Sequence, residues 1–74
     1  MDKNILLAKL GNNIRKYRKQ AGFTQEDFAL KINLDRSYYG SIERGERNLT
    51  VLNLIKIAKG LSISISELFD GVEQ

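Results

Sequence analysis

The chain contains no cysteine, no histidine and no proline. Without cysteine it has neither disulfides nor thiolate metal ligands. Without histidine it lacks the commonest metal ligand and the commonest general base. Glycine-rich phosphate loops and clustered carboxylates are missing as well, and neither Ser37 nor Ser41 has a neighbouring base, so an enzyme is the weakest class of function. No low-complexity tract, internal repeat or linker-like stretch interrupts the chain. No apolar run approaches the roughly 18 residues that span a bilayer. The opening MDKNILLAKLGNN has too short an apolar stretch, and no small-residue cleavage site, to read as a signal peptide. A soluble protein of a reducing cytoplasm is expected, with no cofactor, metal, membrane or small-molecule ligand.

What remains is a chain of 74 residues, read as one domain over residues 1–74. A chain this small buries a modest fraction of its surface and is marginally stable alone. With disulfides and metals excluded, helix packing, oligomerisation or both must supply the stability. Twelve basic and nine acidic residues give a net charge of +3, too mild to imply nucleic acid by itself. The distribution says more. Lys9, Arg15, Lys16, Arg18 and Lys19 fall within eleven residues that contain no acid, which describes either a solvated helix face or an attractive surface for an anion.

Hydrophobic spacing predicts five helices and short loops, an all-α class. Leu6, Leu7, Leu10, Ile14 and Tyr17 recur at helical spacing, giving a first helix over about Lys3 to Gln20 that stops at Gly22. Thr24 with Asp27 three residues on resembles a capping box and opens a second helix over about Gln25 to Lys31, apolar at Phe28, Ala29 and Ile32. Asn33 tolerates the left-handed conformation that ends a helix. Leu34 should tuck into the core, and Asp35 is a good N-cap for a third helix from Arg36 to about Arg44, with Tyr39 and Ile42 inward and Gly45 as the stop. Thr50 caps a fourth helix over about Val51 to Lys59, where Leu54, Ile57, Ala58 and Leu61 form one stripe. LSISISEL alternates like a strand, but Ser64 and Glu67 within it form a capping box for a last short helix containing Leu68 and Phe69.

A pair of short helices joined by a turn of about three residues is the outline of a helix-turn-helix, or of a plain helical hairpin in a small bundle. Ala29 suits the close crossing, Asn33 the turn, and Tyr39 and Ile42 the inner side. The run TQEDFALKINLDRSYYGSIERGERN resembles the helix-turn-helix of the Cro and phage-repressor superfamily, the Xre-like family. The resemblance extends from about Leu6 to Phe69. Asn33 stands where the family often has glycine and serves the same backbone role. The pairing of TQEDFA with LDRSYYGSIERGERN is similar to the controller proteins of bacterial restriction–modification systems, although many Xre-like regulators share SIERGER.

The resemblance implies a compact five-helix, lambda-repressor-like domain with its helix-turn-helix at about 25–44, acting as a sequence-specific transcriptional regulator. Its third helix would enter the DNA major groove, with Arg36, Ser37, Tyr38 and Ser41 as base-reading residues. Arg36 can pair bidentately with guanine O6 and N7. Gly40 and Ser41 are small either to let the helix approach the groove floor or to allow a helix–helix crossing. Gln25, Arg44, Arg47 and Asn48 would hold phosphates, with Lys9 and Lys16 adding diffuse attraction. Arg18 and Glu43 would form a structural ion pair setting the angle between the first and third helices.

The fourth helix carries more apolar surface than one stripe uses, so Val51, Leu52, Ile55, Ile65 and Phe69 are expected at a dimer interface. The implied partners are double-stranded DNA, a second copy of the chain, and RNA polymerase for an activator, met through Glu46 or Asp35. A controller protein would bind pseudo-palindromic operators as a dimer, occupy tandem sites cooperatively, and activate then repress its own operon. The alternatives are a phage-type or antitoxin-like repressor of the same superfamily, and a protein-interaction module without DNA binding. Gln25, Arg36, Arg44 and Arg47 argue against the second.

Overall fold

The computed structural model describes residues 3–72; residues 1, 2, 73 and 74 of the expected 1–74 domain lie outside the described residues. Five helices follow in order: α1 (Lys3–Gln20), α2 (Gln25–Lys31), α3 (Arg36–Glu43), α4 (Val51–Leu61) and α5 (Ile65–Leu68). No strand occurs among the described residues.

Local chemistry places most boundaries. The Thr24, Asp35, Thr50 and Ser64 side chains each accept a hydrogen bond from the backbone N–H three residues on, satisfying donors that a helix start leaves free. Only at Ser64 is the box closed, Glu67 returning a bond to the Ser64 N–H; at Thr24 the cap stands without the reciprocal bond. Asn33 turns between α2 and α3 at φ 59°. Tyr39 and Ile42 both face inward, and Leu34 is half-buried against the core.

The fourth helix departs from expectation at its end. It continues through Gly60 to Leu61 and is closed by Ser62, a left-handed serine at φ 58°. Gly60 is therefore a packing residue, not a stop. A Cβ there would lie 2.5 Å from Ile32 Cγ2 and 3.1 Å from the Phe28 ring, so its bareness lets α4 settle onto α2.

The core is one cluster in which Ile14, Phe28, Tyr39, Ile42, Ile57 and Leu68 are fully buried. Phe28 meets Tyr39 edge-on at 5.4 Å, joining α2 to α3. The α1–α3 crossing is set at Gly11, where a Cβ would fall 2.4 Å from the Ile42 carbonyl oxygen. At the far end, Asn13 Nδ2 donates to the carbonyls of Leu68 (2.8 Å) and Asp70 (2.9 Å), tying α5 and the segment after it to α1. The result is a firm base from which the first turn of α3 projects.

Candidate nucleic-acid interface

α3 is rooted at one end and open at the other. Residues Tyr39 to Glu43 are all buried, while Arg36 and Ser37 are exposed at its N-terminus. Arg36, Ser37, Gly40 and Arg44 line a cleft of about 190 Å3 together with Gln25 from the start of α2. A Cβ on Gly40 would come within 3.2 Å of Arg44 Nη1 and 3.5 Å of Gln25 Oε1. Its neighbours there are two polar side chains, not a helix backbone, so the glycine keeps the cleft floor low. The helix crossing that offered a second reason for a small residue is made by Gly11 instead.

Ser41 does not belong to this surface. It is 6 % exposed, and its hydroxyl donates to the Tyr38 carbonyl at 2.6 Å. Both observations remove it from the base-reading set. Tyr38 occupies a boundary position. Its ring is half-buried against the core, and its hydroxyl oxygen accepts a hydrogen bond from Asn53 Nδ2 on α4 at 3.0 Å. Nothing in the spacing of the sequence singled out Asn53.

Beneath the cleft lies the Glu43 carboxylate. Arg18 donates to it through Nε (2.7 Å) and Nη2 (3.1 Å), Gln25 through Nε2 (2.9 Å) and Tyr39 through its hydroxyl (2.5 Å). The Arg18 and Glu43 side chains are 8 % and 1 % exposed. Arg18 Nη1 also donates to the Phe23 carbonyl at 2.7 Å, so one guanidinium bridges α1, the α1–α2 loop and α3. Burial alone would raise the Glu43 pKa. The hydrogen bonds from Arg18, Tyr39 and Gln25 and the Arg18 charge outweigh it, and the carboxyl lies below its ordinary value. The hydrogen bond to Glu43 holds Arg18 above its ordinary value against the cost of burial. Desolvation, then the carboxylate, push the Tyr39 phenol well above its ordinary value. Gln25 is thus oriented from below, with its amide oxygen toward Gly40 and one amide hydrogen uncommitted.

The remaining expected residues are spread around this centre. Arg44 pairs with Glu46 at 3.0 Å, both side chains more than half exposed, an arrangement weak enough for a phosphate to compete. Arg47 and Asn48 are exposed in the loop before α4. Asp35, besides capping α3, is exposed, as is Glu46. Lys16 is exposed with Arg15 and Lys19 along the outer face of α1, Lys9 is half-buried, and Arg18 is withdrawn from the basic run into the core. Val51 and Leu52 are 71 % and 73 % exposed, Ile65 is also exposed, and Ile55 and Phe69 are half-buried. Leu30 on α2, 81 % exposed, and Ile5 are bare apolar residues that helical periodicity did not flag. Among the described residues no group of three or more acidic side chains is placed to hold a metal ion, and no helix is long and apolar enough to cross a membrane.

Comparison with known proteins places this arrangement among others. The helix-turn-helix family model HTH_3 matches residues 14–68. Control protein C.MunI of Mycoplasma sp. is 47 % identical over 72 residues, spanning 96 % of this chain and 97 % of that protein. The crystal structure of the restriction-modification controller protein C.AhdI from Aeromonas hydrophila superposes with a TM-score of 0.83 at 44 % identity, covering 85 % of this chain and 96 % of that one. The controller protein C.Esp1396I, solved as a tetramer in complex with its natural 35 base-pair operator, matches with a TM-score of 0.79 at 47 % identity, covering 92 % and 90 %.

Proposed function

The chain belongs to the HTH_3 helix-turn-helix family, and from that premise we propose that it is a sequence-specific DNA-binding transcriptional regulator, the controller protein of a restriction–modification system. The observation that carries the reading is the exposed first turn of α3, with Arg36 and Ser37 at a low-floored cleft between Gln25 and Arg44. It stands in a chain that matches control protein C.MunI almost end to end. In this reading α3 enters the major groove, Arg36 pairs with a guanine edge, and Ser37 and Tyr38 add hydrogen bonds. Gln25, Arg44, Arg47 and Asn48 hold the flanking phosphates.

The exposed Val51 and Leu52, with Ile65, Ile55 and Phe69, form the face on which a second copy docks. Two-fold symmetry then places two α3 helices about 34 Å apart, so the operator is a pseudo-palindrome. Two such dimers sharing an operator would make four copies on one DNA, the number in the C.Esp1396I tetramer solved with its operator, and give cooperative control of the chain's own operon. Contact with RNA polymerase, through exposed Glu46 or Asp35, supplies activation. The protein works in the cytoplasm and carries out no catalysis.

Selection of bound duplexes from randomised DNA, followed by salt titration of the winner, tests the proposal. Arg44 and Arg47 in two copies neutralise about four phosphates, so log K should fall with log salt with a slope of about −3 to −4. A flat response and no recovered sequence would refute the reading and favour a protein-interaction module.

A further inference from the structure

We infer that Asn53 is a positioning residue for DNA reading, fixing the Tyr38 hydroxyl so that it can only donate a hydrogen bond to the duplex. The inference rests on the proposal that α3 reads DNA. Tyr38 is held at every other polar atom. Its backbone N–H donates to Asp35 Oδ2 at 3.0 Å, and its carbonyl accepts from Ser41 Oγ at 2.6 Å. Its hydroxyl oxygen accepts from Asn53 Nδ2 at 3.0 Å. Asn53 is itself anchored, its backbone N–H donating to the Thr50 cap at 3.1 Å. A phenol has one hydrogen to give, and with its oxygen engaged by Asn53 that hydrogen is the polar capacity left. It is held at the junction of α3 with α4, next to the loop bearing Arg47 and Asn48.

A hydroxyl so constrained discriminates by polarity. It serves acceptors, namely phosphate oxygens or the O6, N7 and O4 edges of the major groove, and offers nothing to the amino groups of adenine and cytosine. A free tyrosine hydroxyl would rotate to serve either. The burial of the ring makes the constraint firm, since the phenol cannot swing away from Asn53 without uncovering apolar surface.

The test is a double-mutant cycle on the duplex recovered by selection with the wild-type protein. Asn53→Ala, Asn53→Asp, Tyr38→Phe and the two double variants are titrated, with thermal unfolding measured alongside. Tyr38→Phe should weaken binding about tenfold. Asn53→Ala should weaken it severalfold in the Tyr38 background and leave it unchanged in the Tyr38→Phe background. Asn53→Asp reverses the hydrogen bond, because its carboxylate takes the phenolic proton away from the duplex. It should therefore lose about tenfold beyond the charge repulsion measured in Asn53→Asp/Tyr38→Phe. Loss on all duplexes alike identifies a phosphate acceptor, and a changed selected sequence identifies a base edge; either supports the inference. Additive effects in the cycle, or affinity losses that merely track the unfolding temperature, would overturn it while leaving the DNA-reading proposal intact. If the wild type recovers no preferred duplex, both fail together.

Discussion

Replacing Arg18 with leucine tests the polar core most directly. The substitution keeps helical propensity and apolar volume but strands the Glu43 carboxylate, whose side chain is 1 % exposed. Of the four hydrogen bonds it receives, only those from Gln25 and Tyr39 survive. Breaking a buried pair from one side costs about 3–5 kcal/mol. For a domain whose whole stability is on the order of 5 kcal/mol, the variant should keep only about 0–2 kcal/mol at neutral pH and 25 °C, enough to leave between a few per cent and half of it unfolded.

The pH dependence separates this cause from simple loss of packing. In the wild type the Glu43 pKa is below its ordinary value, so its contribution is present above the ordinary carboxylate range and is lost as pH falls through the folded value. Without Arg18 the largest remaining influence is burial, which raises the pKa. The sign then reverses: the variant should gain stability as Glu43 protonates, and its deficit should shrink between about pH 7 and pH 4.5. Urea denaturation followed by far-ultraviolet circular dichroism at the two pH values measures this. A deficit under about 1 kcal/mol at pH 7, or a deficit that grows on acidification, would refute the reasoning.

Gly11→Ala should destabilise the fold by about 2 kcal/mol or more, because its Cβ would meet backbone 2.4 Å away that cannot give like a side chain; thermal unfolding reads it. Arg36→Ala should cost about 1–3 kcal/mol on the selected duplex and relax selection at one base pair, whereas Arg47→Ala should weaken all duplexes alike and reduce the salt slope by about one per contact. Leu52→Glu places a charge on a residue 73 % exposed in the single chain, so it should leave folding intact while sedimentation shows monomer at concentrations where the wild type is dimeric.

The parts of this fold that could be read from sequence are those decided within a turn or two of chain. The caps at Thr24, Asp35, Thr50 and Ser64 and the left-handed Asn33 each follow from one side chain acting on its own backbone. Ser41 was misplaced for a different reason. Carrying the family's reading face onto Ser41 treats α3 as a helix with one buried stripe, but α3 is enclosed from Tyr39 to Glu43 and leaves only its first turn free. The role of Gly60 lies beyond local sequence, because it is set by Ile32 and Phe28 at the end and middle of a distant segment. Asn53 and Asn13 act across helices, at sequence separations of 15 and 55 from their partners, which no periodicity reveals. The Arg18–Glu43 expectation came from family resemblance; spacing alone gives no reason to pair those two charges.

The Glu43 cluster also poses the question of why a small domain keeps ions in its core at all. Buried ion pairs are often no more stabilising than apolar residues of similar shape, so stability is a poor explanation for this one. Its geometry offers another. The same Oε1 atom that accepts from Arg18 also accepts from Gln25, which lines the cleft beside Arg36. The pair therefore orients a surface residue proposed to meet phosphate. Replacing the cluster together, as Arg18→Leu/Tyr39→Phe/Glu43→Leu, removes every stranded polar partner except the Gln25 amide, which can turn to solvent, and the Phe23 carbonyl, which loses its bond from Arg18 Nη1. That variant should regain most of the stability lost by Arg18→Leu alone. It should still bind the selected duplex about tenfold more weakly than the wild type, the cost of one unpositioned charge-assisted hydrogen bond in each protomer. Adding Gln25→Ala to it should then change affinity little, whereas Gln25→Ala in the wild type should account for most of that tenfold. Full operator affinity in the apolar variant would mean that the cluster serves the fold alone.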